Sequence, residues 1–414
     1  MATLCCLVGV SAGVTACGGD DEGGGGGVAA GETLNIYSSL PLQGAQRLQT
    51  IALNQGIQLA LDQAGGKAGS FKIKFEKLDD SSAQSGTWTP EATSANAREV
   101  ATDEKAVAYI GEFNSGASAI SMPILNEIPI AQVSPANTAV GLTSDEAGAD
   151  AGEPDKYYPS GERHYARIVP KDTIQGAALA TVMKEDGCKT VGILNDKEVY
   201  GQGLATNVEE AAKTQGLTVS GNEGIDPKAA NFRSQAAGLK SDNVDCFVFS
   251  GVTPNGAVQL FKDVSAAIPD AKLYGPDGVS NPEFFVPKEG GVPVDVAKKT
   301  TVTVATLEPG SYPPEGQRFF DEYKKKYKVK NVDPYAVYGY EAMSLVLDAI
   351  KRAGDQGGDK QAVIDAIFAT KGRESVLGTY DIDENGDTTI TDYGVYKIVN
   401  GELVFDKTVK AEAG

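Results

Sequence analysis

From Glu32 onward, short runs rich in β-branched and aromatic residues alternate with longer segments in which apolar residues recur every three to four positions. The first run, residues 33–37, predicts a strand. Ile57, Leu61 and Ala64 then predict one face of a helix over about 50–64, which the glycine pair after Ala64 ends. Such alternation is typical of parallel sheets covered by helices on both faces, so the pattern predicts an α/β protein.

The alternation runs through the chain twice, and a segment rich in Gly, Asp, Glu, Pro and Tyr at 142–165 separates the two series. The first series predicts strands at 33–37, 72–78, 106–110 and 129–133 and helices near 50–64, 92–103 and 116–126. A crossover strand is predicted at 167–170. The second series predicts strands at 190–194, 218–221, 245–250 and 272–275 and helices at 173–185, 201–215, 231–240 and 256–267. The prediction is therefore two doubly wound α/β lobes.

The remaining C-terminal pattern is predicted to complete both lobes. The run 300–306 is predicted to return the chain to the first lobe, where helices near 315–327, 336–354 and 360–369 would pack. The last hairpin, 393–399 with 402–405, is predicted to form edge strands.

The residues before the first strand indicate export and anchoring. A short apolar run from Leu4 leads into Val14-Thr15-Ala16-Cys17, which resembles a bacterial lipobox, where the cysteine becomes the lipid-carrying first residue of the mature protein. The run is too short to span a bilayer, and no Lys or Arg precedes it, which departs from a full signal. We expect residues 1–17 to be a signal peptide, 18–31 a glycine-rich tether, and the protein to be extracytoplasmic and lipid-anchored through Cys17.

Two cysteines, Cys188 and Cys246, lie in the predicted folded part, each close to the start of a predicted strand. An exported protein can form a disulfide, but strand assignments do not supply the geometry that a bridge needs. The sequence leaves open whether the two cysteines are bonded or are two buried thiols.

Charge and composition exclude several classes of function. Lys and Arg number 37 against 56 Asp and Glu, a net charge of −19, which argues against nucleic acid or anionic lipid as partners. With His164 as the single histidine, we expect no catalytic triad, metal or cofactor. The segment from Asp381 to Asp392 fits a calcium-loop spacing, but strand-like flanks favour a β-turn instead.

Several runs, in order along the chain, resemble the type I periplasmic binding proteins for leucine, isoleucine and valine over 33–407. The runs are Leu40-Pro41-Leu42-Gln43-Gly44, Gly65-Gly66, Leu78-Asp79-Asp80, Tyr109-Ile110-Gly111, Ser134-Pro135-Ala136-Asn137-Thr138, Asp196-Lys197-Glu198-Val199-Tyr200-Gly201-Gln202-Gly203, Gly275-Pro276-Asp277-Gly278 and Asp383-Glu384-Asn385-Gly386-Asp387. The resemblance implies a hinge of three crossovers. It also implies a first lobe of 32–165 plus 308–377 and a second of 166–307 plus 378–410.

Two first-lobe loops follow predicted strands and are expected to hold a ligand carboxylate. Phe113, Asn114 and Ser115 follow one strand, and Ala136, Asn137 and Thr138 follow the next. Ligands of doubly wound folds lie beyond the carboxyl ends of strands, where helix N-termini attract anions. The Ser115 and Thr138 hydroxyls and nearby N–H groups are the predicted clamp. A plain helix N-cap and an ordinary turn residue are the alternatives.

In the second lobe, Asp277 is predicted to hold the ligand's ammonium group, and the resemblance places the Tyr200 ring over the ligand. The alternatives are a solvated Pro-Asp-Gly turn and an exposed turn tyrosine. Gln49 and Val252 stand where the leucine-type binders have aromatics. The relatives' disulfide positions fall at Ser82 and Asn114. We therefore expect a remodelled side-chain pocket with Phe113, Trp88 and Tyr335 as liners.

The resemblance implies binding without chemistry. We expect a monomer that captures an amino acid or similar zwitterion by hinge closure and delivers it to the permease subunits of an ABC transporter. An extracytoplasmic sensor that works with a separate signalling partner is the alternative.

Overall fold

Two β-sheets organise the computed structural model of the chain, which describes residues 27–411. In order across the first sheet, the strands are β2 (Lys67–Ala68), β3 (Phe71–Asp79), β1 (Thr33–Leu40), β4 (Ala106–Ile110), β5 (Ala131–Ser134) and β6 (Tyr165–Arg167). All neighbouring pairs are parallel except β2 with β3. The predicted parallel α/β architecture of the first lobe is confirmed.

Helices cover both faces of this sheet. On one face lie α1 (Arg47–Gln63), α11 (Ala336–Ala353) and α12 (Lys360–Phe368), with α10 (Pro314–Tyr327) packed on α11; on the other lie α2 (Pro90–Thr102) and α3 (Ser115–Glu127). Strand β1 shows why both faces need cover, because Leu34 and Ile36 belong to one buried apolar cluster and Tyr37 to another. The Thr89 hydroxyl caps α2 by accepting a hydrogen bond from the Ala92 N–H at 3.2 Å.

The second sheet has seven strands. In order they are β15 (Glu402–Lys410), β14 (Asp392–Val399), β11 (Thr300–Val304), β10 (Lys272–Gly275), β9 (Cys246–Ser250), β7 (Thr190–Asn195) and β8 (Thr218–Gly224). Helices α4 (Asp172–Glu185) and α5 (Val199–Thr214) pack on one face, and α6 (Arg233–Ser241), α7 (Val258–Ala267) and α9 (Val294–Lys299) on the other. The short helix α8 (Pro282–Phe285) and the hairpin of β12 (Arg373–Ser375) and β13 (Gly378–Tyr380) complete the described elements. Two doubly wound lobes are thus present, as predicted.

The late helix α11 returns to the first lobe and packs tightly on α1. A Cβ atom on Gly56 of α1 would lie 2.1 Å from the Ala336 carbonyl oxygen, and one on Gly339 of α11 would lie 2.2 Å from the Leu53 carbonyl oxygen. Only glycine permits such close approach of the two helices without displacing backbone. Residues far apart in sequence are therefore joined in one core.

Three crossovers connect the lobes, after β6, after β11 and between β13 and β14. The fully buried Arg167 joins the first to the third, because its Nε lies 2.6 Å from Asp387 Oδ1 and its backbone N–H donates to the Gly386 carbonyl at 2.9 Å. The Tyr396 hydroxyl donates to the Thr306 carbonyl at 3.0 Å and so joins the third to the second. The hinge is thus one hydrogen-bonded unit.

Two local predictions are wrong. The crossover strand lies at Tyr165–Arg167 rather than 167–170, because Pro170 lacks an N–H and α4 begins at Asp172. The run at 300–306, predicted to return the chain to the first lobe, forms β11 in the second sheet, and the chain passes from it to the first lobe. In the last hairpin only β15 is an edge strand, since β14 pairs with both β15 and β11.

Cys188 and Cys246 form a disulfide, with their Cα atoms 5.8 Å apart. Cys188 lies just before β7, and Cys246 begins β9, which pairs with β7 in parallel. The bridge therefore ties the amino-terminal ends of two central strands. This answers the question that the sequence left open.

Among the helices formed by residues 27–411, none combines the length and apolar character that a membrane crossing needs. The predicted signal peptide, the anchor at Cys17 and residues 18–26 of the predicted tether lie outside the described residues.

Candidate ligand-binding site

A cavity lies between the two lobes, at the carboxyl-terminal ends of the strands. It is lined by Gln46, Gln49, Trp88, Phe113, Asn114, Ser115, Gly116, Ala136 and Thr138 of the first lobe and by Glu198, Tyr200, Val252, Asp277 and Gly278 of the second. Eight of the ten residues predicted to contact a ligand are among these. The predicted carboxylate clamp and Asp277 thus face one shared cavity, as the sequence hypothesis requires.

The first-lobe wall is built to favour an anion. Helix α3 begins at Ser115, and its N-cap residue Asn114 makes no side-chain capping hydrogen bond. The first N–H groups of a helix have no partner inside the helix, so those of α3 are available at the cavity wall. The Ser115 Oγ accepts a hydrogen bond from the Ala139 N–H at 3.3 Å, which ties the two clamp loops together. The helix N-terminus and the hydroxyls of Ser115 and Thr138 suit a carboxylate.

Arg167 fixes the second clamp loop from behind. Its Nη1 donates to the carbonyl oxygens of Ala139 at 2.8 Å and of Asn137 at 3.3 Å. At the start of this loop the Ser134 Oγ accepts hydrogen bonds from two successive backbone N–H groups. The loop that carries Thr138 is therefore held by the hinge and by the end of β5.

The second-lobe wall presents the carboxylate of Asp277. Its Oδ1 accepts hydrogen bonds from the Tyr200 hydroxyl at 2.6 Å and from Gln175 Nε2 at 2.9 Å. Its Oδ2 accepts one from the Tyr335 hydroxyl at 2.5 Å. Both oxygens accept in these hydrogen bonds, and each oxygen of a carboxylate can accept more than one. Asp277 can therefore still receive a donor from a ligand.

Asp172 lies behind this wall, and its backbone N–H donates to the Thr138 carbonyl at 2.8 Å. Burial, together with the negative charge of Asp277, raises the pKa of Asp172 well above its ordinary value. The neutral form of Asp172 is therefore favoured. Of these two neighbouring carboxyl groups, Asp277 is the one that lines the cavity.

Two predicted residues support the cavity instead of lining it. The Asn137 side chain donates to the Phe113 carbonyl at 2.9 Å and accepts from the Tyr165 hydroxyl at 3.1 Å, so it joins the two clamp loops. Tyr335 belongs to the first lobe but hydrogen-bonds Asp277 of the second. Its ring packs edge-on against Phe113 with centroids 5.6 Å apart. Tyr335 therefore connects the two walls.

Four further residues line the cavity without having been predicted as site residues: Gln46, Gly116, Glu198 and Gly278. Gln46 lies one helical turn before Gln49, and Glu198 lies between β7 and α5, two residues before Tyr200. Spacing from the residues singled out in the sequence was therefore a usable signal. A Cβ atom on Gly278 would lie 2.4 Å from the Gly251 carbonyl oxygen, which shows how closely the loops after β9 and β10 approach. That approach was not visible in the sequence.

The aspartate-rich segment near Asp383 forms a turn at the hinge. Asp383 Oδ1 accepts hydrogen bonds from the N–H groups of Asn385 at 2.9 Å and Asp387 at 2.8 Å, while Asp387 pairs with Arg167. Within residues 27–411, no three His, Cys, Asp or Glu side chains are grouped as metal ligands.

Comparisons with known proteins agree with this architecture. Two curated relatives are similar over most of the chain. A Leu/Ile/Val-binding protein, BraC3, from Rhizobium johnstonii is 27% identical, covering 88% of this chain and 91% of the relative. A leucine-, isoleucine-, valine-, threonine- and alanine-binding protein from Pseudomonas aeruginosa is 25% identical, covering 89% and 90%.

Solved structures show the same fold. The leucine-binding protein LivK from Thermotoga maritima has a TM-score of 0.77 at 24% identity, covering 91% of this chain and 99% of that one. A solute-binding protein of an ABC transporter from Rhodopseudomonas palustris, in complex with benzoate, has a TM-score of 0.72 at 21% identity, covering 92% and 98%. The profile of the periplasmic binding protein family matches residues 35–402. The chain therefore belongs to the periplasmic binding protein family, in the two-lobed type I group that includes leucine-, isoleucine- and valine-binding proteins.

Proposed function

We propose that this protein is the extracytoplasmic substrate-binding component of an ABC transporter and that it captures an amino acid or a similar small zwitterion between its lobes. One observation carries the proposal: an anion-favouring wall with Ser115 and Thr138 faces the carboxylate of Asp277 across one cavity. A free amino acid carries both charges within a few ångströms. Relatives named for amino acids support the same ligand class.

The mechanism is capture by closure. A ligand carboxylate binds the α3 N-terminus and the two hydroxyls of the first lobe, and the ligand ammonium adds its hydrogen bond to Asp277 only when the second lobe approaches. Two direct hydrogen bonds between the lobes also favour closure, one from Tyr335 to Asp277 and one from Gln49 to Ser280 at 3.3 Å. The ligand's contacts with both walls then favour the closed population, which the transporter distinguishes from the open one.

The proposal also covers location and partners. Lipid attachment at Cys17 holds the protein at the outer face of the membrane, and the protein acts as a monomer with permease subunits. Simple aromatic acids, such as the benzoate bound by a structural relative, lack the ammonium group that Asp277 would bind. They are therefore expected to bind weakly here.

A thermal-shift screen of amino acids, amides, small peptides and benzoate tests the ligand class. A ligand at a hundred times its dissociation constant stabilises the folded state by about 2.7 kcal/mol, which is a readily measured shift. We expect at least one free amino acid to shift the midpoint and to lose that effect when its ammonium is acetylated. Stabilisation by benzoate alone would contradict the proposal.

A further inference from the structure

Three polar side chains in the cavity lie outside the predicted clamp, and they indicate what side chain the ligand carries. Gln46, Gln49 and Glu198 line the cavity together with Trp88 and Val252. We propose that Glu198 is a specificity residue that accepts a hydrogen bond from an N–H group at the end of the ligand's side chain. The ligand would then be an amino acid with an amide or cationic side chain instead of a branched aliphatic one. This inference rests on the proposed function.

Glu198 is placed by the end of β7 and the start of α5. Its backbone N–H donates to Asp196 Oδ1 at 3.1 Å, and it serves as the N-cap of α5 without a side-chain capping hydrogen bond. The side chain is half-buried and lines the cavity. The amide of Asn255 donates to Asp196 Oδ2 at 2.9 Å and also lies within reach of the Glu198 carboxylate. A carboxylate can accept several hydrogen bonds, so Glu198 can still receive a donor from a ligand.

The carboxylate reaches across the cleft to the first lobe. The position that a Cβ atom would take on Gly116 lies 3.2 Å from Glu198 Oε2 and 2.8 Å from Trp88 Cζ2. A carboxylate beside an indole ring suits a donor group that is cationic or planar, since cations are attracted to aromatic rings. Trp88, Val252 and Phe113 can cover the methylene groups that lead to that donor.

Burial disfavours the charged form of Glu198. Burial, followed by the negative charge of Asp196, raises the pKa of Glu198 to about 7, although a hydrogen bond with Asn255 acts in the opposite direction. Hydrogen bonds that involve a charged group are stronger than neutral ones, and a buried polar group left without a partner is costly. A donor on the ligand's side chain should therefore strengthen binding at this position, whereas a leucine side chain would cover the carboxylate without adding a hydrogen bond to it.

The two glutamines add further hydrogen-bond donors and acceptors to the cavity. Gln46 Oε1 accepts a hydrogen bond from the Thr87 hydroxyl at 3.3 Å, so its amide donors remain for the cavity. Gln49 Nε2 donates to the Ser280 hydroxyl at 3.3 Å, so its carbonyl remains. A site lined by such groups discriminates strongly against ligands that cannot hydrogen-bond them.

Calorimetry with two pairs of ligands of similar shape tests the proposal. Asparagine and leucine have side chains of nearly the same shape, as do lysine and norleucine up to the terminal group. For the wild-type protein we expect the donor member of at least one pair to bind about tenfold or more tightly than its apolar partner. Glu198→Leu should abolish that preference. Glu198→Gln, which keeps an acceptor, should retain it for asparagine and lose it for lysine.

Two controls separate the possible failures. Glu210→Gln, an exposed residue of the same helix α5, should leave every ratio unchanged. Asp277→Ala should weaken all four amino acids alike without altering the ratio within a pair. Tighter binding of the apolar member in both pairs, or an unchanged ratio in Glu198→Leu, would overturn the inference while the proposed function stands. Absence of binding by any amino acid would overturn both.

Discussion

The two lobes share one winding pattern but present opposite chemistry to the cleft. The first lobe offers hydroxyls and the N-terminus of α3, which favour a negative group. The second offers the carboxyl groups of Asp277 and Glu198, which favour a positive one. Both walls stand at the carboxyl ends of parallel strands, so the fold places the site and the loop residues decide what it can hold.

The lobes also differ in where their unusual buried groups lie. The Cys188–Cys246 disulfide ties the amino-terminal ends of β7 and β9, away from the cleft. In the first lobe, the carboxyl groups of Asp80 and Glu112 lie just beyond the carboxyl ends of β3 and β4. Loss of the disulfide should therefore lower stability without changing the cleft. Substitution of Asp80 or Glu112 should also alter the loop that carries Ser115.

The largest expected effect comes from replacing Cys188 and Cys246 together with serine. The bridge closes a loop of 58 residues, and the chain-entropy relation assigns about 4 kcal/mol of unfolding free energy to a loop of that length. Denaturant unfolding of the oxidised wild type, the reduced wild type and the double variant should show this loss. Ligand affinity should change less than twofold. A large change in affinity would contradict the separation of the bridge from the cleft.

A pH-dependent loss of stability is expected from Asp80 and Glu112. Burial raises the pKa of Glu112 to about 7 even though it accepts a hydrogen bond from Tyr109, and burial with the charge of Glu112 raises that of Asp80 well above its ordinary value. The folded state thus keeps protons that the unfolded chain releases. The stabilisation that these protonated carboxyl groups provide is complete below the ordinary carboxyl pKa and is lost as pH rises through 7.

Replacing Asp80 with asparagine should remove part of this dependence. Between pH 5 and 8, the unfolding free energy of Asp80→Asn relative to wild type should rise by roughly 1 to 3 kcal/mol. Asp79→Asn is the matched control. Burial alone would raise the pKa of Asp79, but hydrogen bonds from Ser81, from the Leu42 N–H and from Gln43 lower it overall. The contribution of Asp79 to the unfolding free energy should therefore be constant over this range. Parallel curves for wild type and Asp80→Asn would contradict the assignment.

The smallest expected effect tests the charged wall of the second lobe directly. Asp277→Ala should weaken binding of the amino acid found in the screen at least fivefold, about 1 kcal/mol, because the ligand ammonium loses its acceptor. Calorimetry measures this, with the exposed Asp270→Ala of the same lobe as the control. Unchanged affinity would show that Asp277 does not bind the ligand. The proposed difference in charge preference between the two walls would then be wrong.

Much of the fold could be predicted from the sequence because its elements are strongly periodic. The strand at 106–110 and the helix ending near 353 were predicted within a residue, since apolar alternation and glycine stops mark them. The hinge was predicted less well. Strand β6 has three residues, and β14 pairs with β11 from a distant part of the chain, so neither has a local signature.

The candidate site divides in the same way. Ser115, Thr138, Tyr200 and Asp277 follow strands in recognisable motifs, so the sequence could name them. Glu198 could not be ranked, because its importance depends on its place in the cavity wall and on its approach to Gly116 in the other lobe. The sequence also did not show that the Asn137 side chain hydrogen-bonds the Phe113 carbonyl and the Tyr165 hydroxyl.

The sequence by itself determined the two-lobed α/β class, the order of nearly all elements and the ends of strands where a ligand would be met, because these follow from local periodicity and turn chemistry. Only the tertiary structure decided that Cys188 and Cys246 are bonded, that Arg167 ties the hinge to a clamp loop, and that the Glu198 side chain lines the cavity. Each of these depends on distances between residues far apart in the chain, which only the packing of the lobes fixes.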